Sequence, residues 1–256
     1  MLAEMRIRSA DLRWLMFFGL VIAAWAAVYA MALPADLLDT ADVYGADFWI
    51  ALCTVPPGVA GLPKVLLMWL IMSVAMMTPT LVPALRTFGD LMSGNAAEPG
   101  DFWKLISGYL LVWAGFSGIA AAGQVTLASA GLLAPNGSSL FPLLTAAILI
   151  VAGLYQFSPI KDACQSACMA PFAFFMNHWS EGPWRMGLRM GIVCLGCCWA
   201  LMLLAFVGGT MNILFMGLAT LAMTLEKLPQ IGRALSRPLG GALVAAGAVL
   251  ALNALS

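Results

Sequence analysis

The chain has 256 residues, of which 62% are hydrophobic and only 9% charged. A soluble domain carries about 25% charged residues, and a chain this size lacks the polar surface needed to cover so much apolar mass in water. That apolar excess excludes a soluble enzyme, a coiled coil, a disordered tail and a disulfide-stapled secreted domain; twelve basic and twelve acidic residues balance, so nothing points to nucleic acid, and the composition predicts an all-α polytopic transmembrane helix bundle forming a single integral membrane domain over 1–256.

A spanning helix needs about 20 consecutive apolar residues. The 22 charge-free residues between Arg13 and Asp36 supply the first span, about Trp14 to Leu33. Its apolar run is too long for a secretory signal and has no clear small-x-small cleavage site, so it reads as a retained helix. An acidic loop with Asp36, Asp39, Asp42 and Asp47 follows, either a solvated loop or an electrostatic lure for cations. The stretch 48–61 is apolar but short, and Pro56-Pro57-Gly58 breaks it, so a short interfacial or re-entrant segment is expected after the first span. The 21 charge-free residues between Lys64 and Arg86 give the second span. The 56 between Lys104 and Lys161 give two more, turning near Pro135-Asn136-Gly137. The stretch Ser158 to Arg185 reads as a long irregular loop. The 36 charge-free residues between Arg189 and Glu226 give two spans turning at Gly208-Gly209-Thr210, and the residues after Arg237 a last one. The count is about seven, or six, because Met211 to Leu225 and the last span are short for a full crossing.

Orientation follows from the basic residues, which collect on the cytoplasmic side. With the N-terminus cytoplasmic, eleven of the twelve fall inside and only Lys64 outside. The protein is therefore expected as a multi-pass component of the inner (plasma) membrane. Its partners would be the lipid bilayer and other membrane subunits or a second copy. Gly187-x3-Gly191 and the run Gly115, Gly118, Gly123 are the small residues that would allow close helix contacts.

No dinucleotide fingerprint, phosphate loop, zinc-protease helix motif or nucleophile elbow occurs. The single histidine, His178, rules out a multi-histidine metal centre. No acidic residue lies deep in a predicted span, which argues against a proton-coupled transporter. Glu226, beside Lys227, is expected as a solvated or ion-paired residue at a helix end. No general base other than His178 or Glu226 offers itself, so an enzymatic role is not expected.

Sulfur remains, with six cysteines and 17 methionines. Met68, Met72 and Met76 recur every four residues and form one stripe, with Met77 adjoining and Pro79 and Pro83 beyond. The stripe is either packing, as methionine often provides, or a row of soft ligands. Cys164 and Cys168 are four apart and share a face if their loop is helical. Cys194, Cys197 and Cys198 fall on one side of the fifth span, with Cys197 turned somewhat aside. Thiols in the cytoplasmic half are reduced, so they read as buried small residues or as a metal or redox site rather than as disulfides. Thiolate with thioether selects Cu(I) first and zinc second. The candidate ligands are Cys164, Cys168, Cys194, Cys197, Cys198, Met72, Met76 and Met77. Pro159 and Pro171 bracket a segment that could insert as a short helix, bringing Cys164 or Cys168 to Cys197 or Cys198 with Met76 or Met77 nearby; the alternative lays it flat on the surface.

The strings MWLIMSVAMMTPTLVP, YQFSPIKDACQSACMAP and GIVCLGCCWALMLLAFVGGTMNILFMG, with the following EK, resemble a family of prokaryotic integral membrane proteins described as metal-binding and of unknown function. The resemblance covers roughly Leu62 to Lys227. It implies roles for Met76, Met77, Pro79, Cys164, Cys168, Pro171, Cys197, Cys198, Trp199, Met202, Met211, Asn212, Glu226 and Lys227. Where the family pattern has a basic residue after the second loop cysteine, this chain has Met169, either an added soft ligand or a lost charge contact. The expected function is handling of a soft ion, Cu(I) above all, in transport, chaperoning or assembly. The Met68-Met72-Met76 stripe would pass the ion between the acidic loop and the thiols. The alternative is an accessory subunit of a larger membrane complex, with structural sulfur clusters. A thiol oxidoreductase using Cys164 and Cys168 lacks the C-x-x-C spacing of disulfide exchangers.

Overall fold

The computed structural model describes residues 9–32, 61–94, 98, 100–210 and 212–255. They are almost entirely helical. The acidic loop over 36–47, the expected interfacial segment over 48–60, and Met211 lie outside them.

Helix α1 (Ser9–Ala32) buries Phe17, Ala24, Val28 and Met31, a stripe at near-heptad spacing, and packs this face on α2. Helix α2 (Leu62–Gly94) has 33 residues and runs unbroken through Pro79 and Pro83. Proline removes a backbone donor and usually ends or kinks a helix. Here hydroxyls take up neighbouring carbonyls: Thr78 donates to Val74 O (2.5 Å), Thr80 to Met77 O (2.8 Å) and Thr87 to Pro83 O (3.1 Å). The methionine stripe points inward. Met68, Met72, Met76 and Met77 are all buried, so none of these four faces out of the bundle.

Helix α3 (Asp101–Ser129) joins α2 through buried polar contacts: Trp69 donates to Gln124 at 2.7 Å, and the Ser73 and Ser117 hydroxyls meet at 2.9 Å. Helix α4 (Pro142–Tyr155) bends by 62° into α5 (Pro159–Met169). Ser158 caps α5 by accepting from Ile160 N, and Pro159 opens it. Helix α6 (Pro171–His178), a short 3-10 turn (Trp179–Glu181) and α7 (Pro183–Met202) follow. The stretch expected as an irregular loop is therefore helical. Its prolines at 159, 171 and 183 each begin a helix, where the missing N–H would be unpaired in any case. After a one-turn helix α8 (Ala205–Gly208), Asn212 caps α9 (Ile213–Glu226), and α10 (Gly232–Leu255) closes the chain.

Among the described residues, five helices are long and apolar enough to cross a membrane, or six if α4 and α5 count as one bent span. The sixth of the expected spans corresponds to α9, which has only 14 residues, about 21 Å at 1.5 Å per residue, and so is short for a full crossing. The last helix starts at Gly232 rather than after Arg237, so Arg233 and Arg237 sit in its first turns.

Two helix pairs approach at backbone distance. A Cβ on Gly187 or Gly108 would strike the backbone between α3 and α7, and one on Gly191 would meet Val112 at 2.9 Å. Between α4 and α10, a Cβ on Gly153 would lie 2.8 Å from Gly240 O. The expectation for Gly187-x3-Gly191 is met. The run Gly115, Gly118, Gly123 differs: a Cβ at any of the three would meet nothing within 4 Å, so these glycines mark no close contact among the described residues.

Candidate metal centre

Helix α7 runs against α3 on one side and α5 on another, and its inward face carries the cysteines. Cys194, Cys197 and Cys198 are spaced i, i+3 and i+4, which puts them on one face. Their sulfurs lie within 4.8 Å of one another and all three are buried. Cys197 is part of this group rather than turned aside: its Sγ is 3.2 Å from that of Cys198, and its thiol donates to Cys194 O at 3.1 Å. All five described cysteines are free thiols.

The inserted-helix arrangement is the one adopted. Helix α5 packs on α7, and Cys168 Sγ lies 3.9 Å from Cys197 Sγ. Cys164, one turn earlier, sends its sulfur toward Gly196, 2.6 Å from where a Cβ there would stand. Alanine at 196 would displace Cys164.

Met77 touches this region through its backbone: the Tyr109 hydroxyl lies 3.1 Å from Met77 O and 2.9 Å from Cys194 Sγ. Met72 and Met76 are buried on the same helix. Met169 packs toward Gly232 at the start of α10, with its sulfur 3.2 Å from where a Cβ there would stand. His178 is apart from the sulfurs, its Nδ1 bonded to Phe174 O at 2.8 Å and its ring against Phe174.

Charge enters from the end of α9. Lys227 is buried, and its ammonium donates to Thr80 Oγ1 at 2.7 Å and to Cys194 Sγ at 2.9 Å. The preceding residue, Glu226, is also buried and bonds Lys161 of α5 at 2.8 Å. Gln165 adds a bond from its amide to Glu226 O (2.6 Å) and another to Ser236 (3.1 Å). Glu226 is thus paired across 65 positions rather than with its neighbour or with solvent. The ion-paired alternative for Glu226 is the one adopted, with Lys161 as partner; a role for Lys227 in the site is implied only by the family resemblance, and the sequence singles out neither Tyr109, Thr80 nor Lys161 as a site residue. The one signal was an acid–base dipeptide ending an apolar helix, which also fits an ordinary helix terminus.

The donors suit a soft monovalent cation. Metal–thiolate bonds are about 2.3 Å, so two opposed donors span about 4.6 Å and three in a plane stand about 4.0 Å apart. The 3.9 Å Cys168–Cys197 separation is close to the trigonal spacing, and the triad's sulfurs all lie within 4.8 Å of one another; the Cys197–Cys198 pair, at 3.2 Å, must open by most of an ångström to share an ion. A copper(I) ion on two thiolates has a net charge of −1, which the Lys227 ammonium offsets. A cleft of about 560 Å³, lined by Asp162, Arg233, Ala234, Ser236 and Arg237, has no sulfur in its lining.

Residues 66–250, most of the chain, match the model of the PpoB2 family, described as a copper chaperone. The chain belongs to that family. Neither the curated proteins nor the solved structures contain a match. A copper-related family agrees with the metal-binding resemblance in the motifs, and the Cys194–Cys197–Cys198 cluster fits a copper-handling role.

Breaking the buried ion pair exposes its importance. Lys161→Met leaves an unpaired buried carboxylate and is expected to cost about 3–5 kcal/mol. Adding Glu226→Leu should restore most of the stability. Unfolding of the detergent-solubilised variants measures both; a single variant as stable as wild type would contradict the pairing.

Proposed function

We propose that this chain is a membrane-embedded copper chaperone that holds Cu(I) on Cys194, Cys197 and Cys198 and passes it to a copper-dependent acceptor protein. The observation carrying this reading is the buried three-thiol cluster with an ammonium on one of its sulfurs. Thiolates and thioethers favour Cu(I), whereas the hard ions magnesium and calcium require oxygen ligands. Cys168 completes a four-sulfur neighbourhood. Met72, Met76 and Met77, buried along α2, supply the thioethers through which the ion could approach. Cys164, facing Gly196, is a packing residue in this scheme.

The long apolar helices support insertion in the bilayer, and the distribution of basic residues supports a cytoplasmic N-terminus in the inner membrane. Lys161, Arg185, Arg189, Lys227, Arg233 and Arg237 flank the helix ends around the thiols, so copper would be held in the cytoplasmic half, where cysteines stay reduced. An impermeant thiol reagent should label Asp39→Cys, in a cysteine-free background, from the outer face only. Labelling only from the cytoplasmic face would invert the topology.

The metal claim is tested by composition. Purified protein loaded without oxygen should carry about one Cu(I) per chain, because the clustered thiols form one low-coordinate site. Cys197→Ser/Cys198→Ser preserves size but replaces soft donors, and should reduce copper to background while the helical content is retained. Full copper content in the folded double variant would refute the site.

A further inference from the structure

We propose that Cys168 is the exchange ligand of this site, the thiol through which Cu(I) enters and leaves the buried cysteines of α7. The inference rests on the copper reading above and adds a route to it. Cys168 is half-buried, whereas Cys194, Cys197 and Cys198 are buried. Its sulfur is 3.9 Å from Cys197, close enough for one ion to bridge them.

A small cavity adds an independent observation. It measures about 10 Å³ and is bounded by Cys168, Thr80, Pro83, Tyr109, Cys194 and Lys227. That is room for one water-sized particle. Space for a single ion therefore joins the half-buried Cys168 to the buried Cys194 at the Lys227 ammonium.

Position in the chain supplies the freedom to move. Cys168 is next to last in α5, and Ala170, between α5 and α6, leaves the helical conformation (φ −121°, ψ 60°). A small adjustment at this junction moves one sulfur and leaves α7 in place. Cys164 has no such role, because its sulfur fills the space above Gly196.

The transfer balances without a redox partner. Cu(I) held by Cys168 and Cys197 gains a bond to Cys194 Sγ and loses its bond to Cys168 Sγ. Cys194 gives up one thiol proton and Cys168 takes one up, so copper stays Cu(I) and the net charge is unchanged. Lys227 faces the new bis-thiolate and compensates its charge.

The test uses the full chain in detergent, loaded with Cu(I) without oxygen, with the chelator bicinchoninate as competitor. Equilibrium affinity and the rate of copper withdrawal are measured for wild type, Cys168→Ala, Cys168→Ser and Cys164→Ala. An exchange ligand speeds entry and exit together, so both Cys168 variants should release copper about tenfold more slowly, with Kd within about threefold of wild type. Cys164→Ala should match wild type in both. A Kd weakened beyond that range would make Cys168 a resident ligand, and an unchanged rate would make it a bystander. Either result overturns the proposal, as would a wild-type rate in Cys168→Ser alone or an equal slowing in Cys164→Ala. Wild-type protein that takes up no Cu(I) would refute the copper reading itself, and the route with it.

Discussion

Two consecutive buried charges at the end of α9 organise the site. Glu226 draws in Lys161 and with it α5, while Lys227 turns to Cys194 and Thr80. Removing a charge from water costs several kcal/mol, and only close partners offset this. The Lys161–Glu226 pair, at 2.8 Å and backed by Gln165 and Ser236, therefore constrains α5 far more than its short apolar surface could. Pinned in this way, α5 places Cys168 beside Cys197. The same pairing leaves Lys227 free of its neighbouring carboxylate and available to the sulfurs.

Close helix approach provides the second constraint. Gly108 and Gly187 let α3 and α7 meet backbone to backbone, bringing the Tyr109 hydroxyl within 2.9 Å of Cys194. The Tyr109 hydroxyl donates its one proton to Met77 O, which leaves its oxygen to accept from the Cys194 thiol. Thr80 closes the circle from α2, accepting from Lys227 and donating to Met77 O. Residues on or next to five helices thus contribute to one polar pocket inside the bundle. The Lys227 ammonium meets a cysteine sulfur and a hydroxyl there, and soft sulfur donors are the ones that suit Cu(I).

Much of this was legible in the sequence because it is local. The i, i+3, i+4 spacing of Cys194, Cys197 and Cys198 fixes a shared face whatever surrounds it, and Pro159 and Pro171 delimit the helix that carries Cys168. The inward turn of Met68, Met72 and Met76 was open, since periodicity assigns a common face without saying what that face meets. What sequence could not supply was pairing over distance. Lys161 and Glu226 are 65 positions apart, and Lys227 and Thr80 are 147 apart. Charges near helix ends are ordinarily solvated, so the sequence leaves Glu226 either solvated or ion-paired and does not name Lys161 as its partner. At Gly115, Gly118 and Gly123 small residues permit close packing without compelling it, and no described helix of the chain approaches them.

Copper K-edge X-ray absorption of the chain carrying one equivalent of Cu(I) tests the central claim most directly. A buried all-thiol site predicts a first shell of sulfur alone, two or three donors at about 2.2–2.3 Å. A shell dominated by nitrogen or oxygen would place the metal away from Cys194, Cys197 and Cys198 and contradict the account.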